Sequence, residues 1–290
     1  MIKFRYTPKD AYLVAYTFIL AVLPFLMVWL QPSFILLALL LPFHMWAIVN
    51  HQNGSLHHHS HWPTFESKKV NLFYELFLSM VAGIPHQLWK WAHLTHHVHV
   101  NDKPVNGLCK DPVSVHLYGK NGEPENFWKY CFIGTIKYLK DQWAPPSVKS
   151  GIKTPASINM NQYNREILLF KLYLLSILLL DWQYGLWMLL VYFLAYFFNN
   201  ATSYGEHWTV LDRRGDTTQD SIGIYSRWYN FVGFGAGYHQ EHHNQPARHW
   251  TKLHEITHRM HPDRRIVGGM HITNNPYWSH FKLLFKKEQC

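Results

Sequence analysis

Residues 11–30, AYLVAYTFILAVLPFLMVWL, carry no charged side chain. A helix of about twenty residues, rising about 1.5 Å per residue, spans the ~30 Å hydrocarbon core of a bilayer. Gln31-Pro32-Ser33 follows as a turn, and Phe34 to Val49 is apolar again apart from His44. The pair predicts a transmembrane hairpin with kinks at Pro24 and Pro42. A cleavable signal peptide is disfavoured, because a second apolar helix follows and a small-residue cleavage site does not.

A second pair lies further on. Ile167 to Leu180 is apolar apart from Lys171 and Ser176, Asp181 to Gly185 reads as a turn, and Leu186 to Phe198 returns. Trp182 and Tyr184 at this turn suit a membrane interface. Between the pairs, Val70 to Ile84 is apolar but carries Asn71 and Glu75, the pattern of an interfacial or partly inserted helix. Neither hairpin turn holds a Lys or Arg, and the basic residues collect in 50–166 and 199–290. By the positive-inside rule, both hairpins dip in from the cytosolic side. The expected fold is all-α and integral to the membrane, a single domain over 1–290. Its spans fall at about 11–30, 33–49, 167–180 and 186–198, and 50–166 and 199–290 form a helical cytosolic cap.

Composition removes other classes. Apolar residues at 48% exclude disorder. The three cysteines, Cys109, Cys131 and Cys290, are too few for a disulfide framework, show no metal spacing and fit a reducing compartment. The net charge of +9 is scattered and accompanies no recognition motif, so no nucleic-acid partner is expected. Anionic headgroups or an acidic protein would suit it equally. Pro145 to Pro155 is linker-like in composition.

The 22 histidines outnumber the 18 acidic residues. On a helix, positions i, i+3 and i+4 share a face. His93, His96 and His97 meet that rule, as do His239, His242 and His243. His57 and His61 form an i, i+4 pair within HHHSH, where His58 and His59 compete for the register, and His207 follows Glu206. Neutral imidazole ligates iron, zinc, copper and nickel. One HxxHH fits an isolated zinc site or chance as well as it fits catalysis. Two copies with an HxxxH pair on one side of a membrane point to a shared metal centre. From Ser33 to His57 is about 36 Å of helix, and from Gly185 to His207 about 33 Å. Both long helices thus bring a histidine to about the same height, with Asn53-Gly54 as a point where the first could break.

The chain resembles the membrane fatty acid desaturase and hydroxylase superfamily, whose boxes read HxxxH or HxxxxH, HxxHH and HxxHH. His57-xxx-His61 followed by Phe65, Ser67 and Asn71 is similar to the first box and its tail. His93-Leu-Thr-His-His97, then Asn101 and Asp111-Pro112, is similar to the second. Gly237-Tyr-His-Gln-Glu-His-His243, then Pro246 and His249-Trp250, is similar to the third, with Glu206-His207 as the extra histidine element. The resemblance covers most of the chain. It implies two non-haem iron ions, with dioxygen as co-substrate, held by His57, His61, His93, His96, His97, His207, His239, His242 and His243. Glu206 and Glu241 are expected to hydrogen-bond the ligand imidazoles rather than to ligate. Some members carry an Asn four residues before the extra histidine; here Ser203 stands there, with Asn199 and Asn200 further back. Ser203 and Asn200 are the candidates for supporting contacts. No acid or base apart from the di-iron centre is assigned.

The implied activity is oxidation of a lipid chain, foremost desaturation of a fatty acyl group. Lipid or alkyl hydroxylation, carotenoid ketolation or hydroxylation, and oxidative decarboxylation of a fatty acid to a terminal alkene use similar boxes. No haem-binding or flavin motif accompanies them, so electrons are expected from a separate donor of ferredoxin, rubredoxin or cytochrome b5 type. The rival reading is a non-catalytic metal-binding membrane protein. Transporters place ligands within spans near the midplane, whereas here only His44 does so.

Overall fold

Gln31 ends the first helix where the sequence predicts a turn. In this computed structural model, which describes residues 2–103, 105, 109–112, 125–141, 156–210, 216–260, 266–267 and 270–271, α1 (Asp10–Leu30) passes through Pro24 and stops at Gln31. Gln31 turns left-handed, φ 46°, and its N–H still reaches Met27 O. Ser33 caps α2 (Phe34–His51), its hydroxyl accepting from Leu36 N–H at 3.3 Å. Asn53-Gly54 does not break the chain there. Gln52–Leu56 widens into one π turn and the helix resumes as α3 (His57–His61). Two buried side chains hold that turn from the side. Gln52 Nε2 donates to Ala82 O at 2.8 Å, and Ser55 Oγ donates to Leu13 O at 3.3 Å. A π turn re-phases the residues beyond it and is common at functional sites.

Ser67 caps α4 (Lys68–Ala82), and Gly83 ends it at φ 68°. A Cβ on Gly83 would stand 2.3 Å from Tyr196 Oη, so both the backbone and the space call for glycine. α4 is the expected segment at Val70–Ile84, with Asn71 and Glu75 buried rather than exposed. Then come α5 (His86–His99), α6 (Phe127–Asp141), α7 (Met160–Leu180) and α8 (Trp182–His207). The expected five-residue turn between the last two shrinks to Asp181, whose Oδ1 accepts from Tyr184 N–H at 3.0 Å. Short helices α9 (Arg227–Val232), α10 (His239–Asn244) and α11 (His254–Met260) follow, then the antiparallel pair β1 (Ile266–Val267) and β2 (Met270–His271). Pro145–Pro155, His261 and Cys290 lie outside the described residues.

Among the described residues, three helices are long and apolar enough to cross a membrane: Asp10–Leu30, Phe34–His61 and Trp182–His207. α7 contains the expected span 167–180, but Arg165, Glu166 and Lys171 keep it out of that set. Its Leu168, Leu172, Leu175 and Leu179 are nonetheless about half exposed or more. Ile19, Val22, Trp29, Phe34, Ile35 and Leu39 of α1 and α2 are likewise exposed. Burial is worth ~1.5–3 kcal/mol per large apolar side chain, so surfaces of this kind belong against lipid rather than water.

Contacts divide the chain into two units: 1–91, 135–151 and 156–199; and 92–134, 152–155 and 200–290. The first packs Leu20, Ile48, Leu56, Leu78, Val81, Ile177 and Met188 into one core. Hydroxyls bolt its helices together: Tyr173 Oη donates to Ala21 O, Tyr192 Oη to Met80 O and Tyr196 Oη to Gly83 O. In a lipid setting such polar atoms need partners within the protein. In the second unit, Tyr130, Ile222, Ile224 and Ile256 are buried. Asn101 organises it. Its backbone is left-handed, φ 57°, which Asn tolerates better than most residues. Its side-chain amide donates to Asp220 O at 2.8 Å and Val210 O at 3.4 Å.

Candidate metal centres

In the second unit, helical spacing turns the histidines of α5 to one face and α10 supplies a second set. His93 Nε2 and His97 Nε2 stand 3.0 Å apart, and His97 Nε2 and His242 Nε2 2.9 Å apart. One ring nitrogen carries either a proton or one lone pair, so His97 Nε2 cannot satisfy both neighbours by hydrogen bonding. A divalent ion about 2.1 Å from each, at near-octahedral to tetrahedral angles, would space them by about 3.0–3.4 Å. His96, His207 and His243 form a second group whose ligand atoms all lie within 4.8 Å of one another. His239 Nε2 lies 3.2 Å from His207 Nε2.

The rings of that second group are held from behind. His96 Nδ1 lies 2.8 Å from Asp111 Oδ2, which also accepts from Asn101 N–H. His207 Nδ1 lies 3.3 Å from Asp220 O, and His243 Nδ1 3.3 Å from Asp220 Oδ1. With the His96 and His207 Nδ1 atoms so engaged, their Nε2 atoms are left for a metal, while His243 Nδ1 stands near Asp220 without a hydrogen bond. His243 Nε2 is buried with no hydrogen-bond partner. Burial, reinforced by the neighbouring histidines, drives the His243 imidazole well below its usual pKa, so the ring is neutral at pH 7 and able to ligate. Burial also pushes the Asp220 carboxyl up to about 6. The donor chemistry therefore fits metal, and it is imidazole in kind: the second unit's ligand groups contain no carboxylate.

Local backbone sets α10. Ile224 N–H donates to Gly237 O at 2.7 Å, and a Cβ on Gly237 would stand 2.2 Å from Ile224 O. Glu241 accepts from Tyr225 Oη at 3.1 Å. Glu206 Oε2 is 3.6 Å from His239 Nε2, beyond hydrogen-bond reach. Ser203 Oγ accepts from Tyr130 Oη at 3.3 Å, and Asn200 packs where a side chain on Gly134 would stand. His249 Nδ1 pairs with Thr251 Oγ1 at 2.9 Å.

In the first unit, the π turn orients His57, whose Nδ1 lies 3.1 Å from Asn53 O. The His57 and His61 ring centroids are 5.3 Å apart. The residues after them form a clamp: Asn71 Oδ1 accepts from Phe65 N–H and its Nδ2 donates to Phe65 O, both at 2.9 Å. His59 has other company, grouping with Glu75 and His86. This unit also holds a cavity of about 180 Å³ lined by Gly83, Leu139, Phe170, Leu174, Tyr192 and Tyr196, with Glu166 and Lys171 among its walls. That is below the ~300–1,000 Å³ of typical ligand pockets.

Sequence reasoning did not single out Asp220 or His86, and it read Glu75 only as the mark of an interfacial helix. Asp111 and Asn101 entered it only as a motif tail. The Asp-Pro step was a signal for Asp111; nothing local marks Asp220. Among known protein families, the fatty acid desaturase model matches residues 51–272 of the 290. No curated protein and no solved structure matches the chain.

Proposed function

The chain belongs to the fatty acid desaturase family, and from that premise we propose that it is an oxygen-dependent, di-iron membrane enzyme that desaturates a fatty acyl chain. The observation that carries this reading is the second unit's set of six histidines, gathered with their ring nitrogens close together and backed by Asp111 and Asp220. A closed structural zinc site needs only four ligands. The proposed iron ligands are those six with His239, His57 and His61, in chain order His57, His61, His93, His96, His97, His207, His239, His242 and His243. Of these, the second unit supplies His93, His96, His97, His207, His239, His242 and His243, seven in all when His239 is counted with the two groups.

Bound iron, with dioxygen, would supply the oxidising power to remove hydrogen from an unactivated C–H bond. The chain's own residues do the positioning. Asp111 keeps the His96 proton on Nδ1, and the Asp220 carbonyl does the same for His207, so each ring presents a lone pair in a fixed direction. Burial of His96, His207, His242 and His243 excludes water. In balance, each –CH2–CH2– pair loses two hydrogens while dioxygen, two electrons and two protons give two waters. The electrons come from an external ferredoxin, rubredoxin or cytochrome b5 type donor.

The reading includes four spans, α7 joining the three apolar helices on the strength of its exposed leucines. It also includes a cytosolic metal site, supported by the lack of Lys and Arg at both hairpin turns. Cysteine labelling tests the topology: Ser33→Cys should react from outside intact cells, and Thr217→Cys only after permeabilisation. The reverse pattern overturns it. For the chemistry, purified protein is given a fatty acid or acyl thioester, a reduced ferredoxin system and labelled dioxygen. An unsaturated product without label is expected. Label in the lipid would make it a hydroxylase or ketolase, and a chain one carbon shorter with a terminal alkene a decarboxylase. Unchanged lipid across a broad panel, despite full iron loading, would leave only a non-catalytic metal protein.

A further inference from the structure

His59, Glu75 and His86 stand on α3, α4 and α5 of the first unit and are 2%, 6% and 0% exposed. One ligand atom from each lies within 4.8 Å of the others. His59 Nε2 and His86 Nδ1 are both 3.7 Å from Glu75 Oε1, too far for a hydrogen bond, and neither nitrogen has a hydrogen-bond partner. Buried polar atoms are nearly always satisfied. Two orphaned nitrogens converging on one carboxylate therefore call for a positive charge among them.

The contacts behind the rings say where the lone pairs are. Ser60 Oγ donates to Leu56 O at 2.9 Å. Its proton is thereby used, so at its 3.3 Å contact with His86 Nε2 it accepts. The His86 proton sits on Nε2, and the Nδ1 lone pair faces a carboxylate lone pair in a dry interior. A cation turns that repulsion into coordination. His59 reaches the same state in the tautomer whose Nδ1–H donates to Thr64 Oγ1 at 2.8 Å; in the other, Nδ1 accepts from Thr64 N–H at 3.2 Å and the Nε2 proton faces Glu75. Gln87 Nε2 holds the other Glu75 oxygen at 3.1 Å. Ligands about 2.1 Å from one ion, at tetrahedral to trigonal angles, stand about 3.4–3.6 Å apart, close to the 3.7 Å seen here.

We propose that His59, Glu75 and His86 bind a divalent first-row cation, Zn2+ or Fe2+, in addition to the two irons proposed above. Two imidazoles and one carboxylate suit these ions. One ligand from each of three helices would tie α3 to α4 and α5 when the ion is bound. The inference does not depend on the desaturase reading, because no residue of the iron set enters it.

The test reconstitutes the metal-stripped full chain, in detergent, with Zn2+ alone and counts equivalents bound. Glu75→Gln and His86→Gln should each bind one equivalent fewer than the unaltered protein, whereas His96→Ala should keep that equivalent. An undiminished count in both, at unchanged Tm, overturns the site. Should either variant fold poorly, anomalous diffraction from crystals of the unaltered protein at the zinc and iron edges decides. A peak among His59, Glu75 and His86 supports the site. No peak there, beside peaks at the imidazole-only groups, overturns it. A peak there without metal at those groups would sink the iron centre and leave this site standing.

Discussion

Among the described residues there are two kinds of candidate metal cluster, and they place their carboxylates in opposite positions. In the second unit, Asp111 and Asp220 stand behind imidazoles, at 2.8 Å from His96 Nδ1 and 3.3 Å from His243 Nδ1. In the first, Glu75 faces the ring nitrogens directly. A carboxylate behind a histidine fixes its tautomer and raises its basicity without lending its charge to the metal. A carboxylate facing the ion cancels part of the ion's charge in a buried place.

The widest separation should appear in turnover. His96→Ala is expected to drop activity to background and to lower iron content, because it removes a proposed ligand and strands Asp111. Glu75→Gln should leave turnover within about threefold while lowering Tm. Iron per chain, product formation with a reduced ferredoxin system and thermal melting measure both. Equal losses of activity in the two variants would erase the contrast. Gly237→Ala comes next. The added Cβ meets Ile224 O at 2.2 Å, and such overpacking costs about 1–3 kcal/mol. The strain falls on the residues leading into His239, so iron loading should fall with stability. An unchanged Tm and iron content would mean that α10 is less constrained than its glycine suggests.

Asp111→Asn keeps the shape and removes the charge behind His96. Loss of such an outer partner typically costs 10–100-fold in metal affinity, and that range is expected here, read by competition with a chelator. The Zn2+ equivalent assigned to His59, Glu75 and His86 should be untouched. A parallel loss at both clusters would mean that the effect is general unfolding rather than ligand support.

What the sequence discloses and what it hides follow the same physical line. Hydrophobic runs and i, i+3, i+4 spacing are local, so α1, α2 and the histidine faces of α5 and α10 are legible from residue order. Asp181 was harder: its side chain caps α8 at once, so a turn of five residues closes in one. The π turn at Gln52–Leu56 was hidden because Gln52 and Ser55 hold it through Ala82 and Leu13, remote in sequence. α7 reads as apolar over 167–180, yet Asn159 starts the helix earlier, its Oδ1 accepting from Gln162 N–H, and so adds Arg165 and Glu166. Asp220 meets Asn101 across 119 residues of chain. Glu75 and His86 lie on different helices with the Gly83 turn between them, so helical spacing could not join them.

The smallest effect bears on the first cluster alone. His59 has two ways to use Nδ1: it donates to Thr64 Oγ1, which frees Nε2 to ligate, or it accepts from Thr64 N–H, which puts the proton on Nε2 and turns it toward Glu75. Thr64→Val keeps the backbone N–H and nearly the same volume while removing the hydroxyl. If His59 ligates, the variant loses the acceptor that holds its tautomer, and Zn2+ affinity should fall about 10-fold, the low end for an outer partner. Without metal, the same change should cost only about 1 kcal/mol, the worth of one buried hydrogen bond. The metal-loaded protein should therefore lose more Tm than the stripped protein. An equal loss in both forms would remove His59 from the ligand set and leave Glu75 and His86 as the pair that holds the ion.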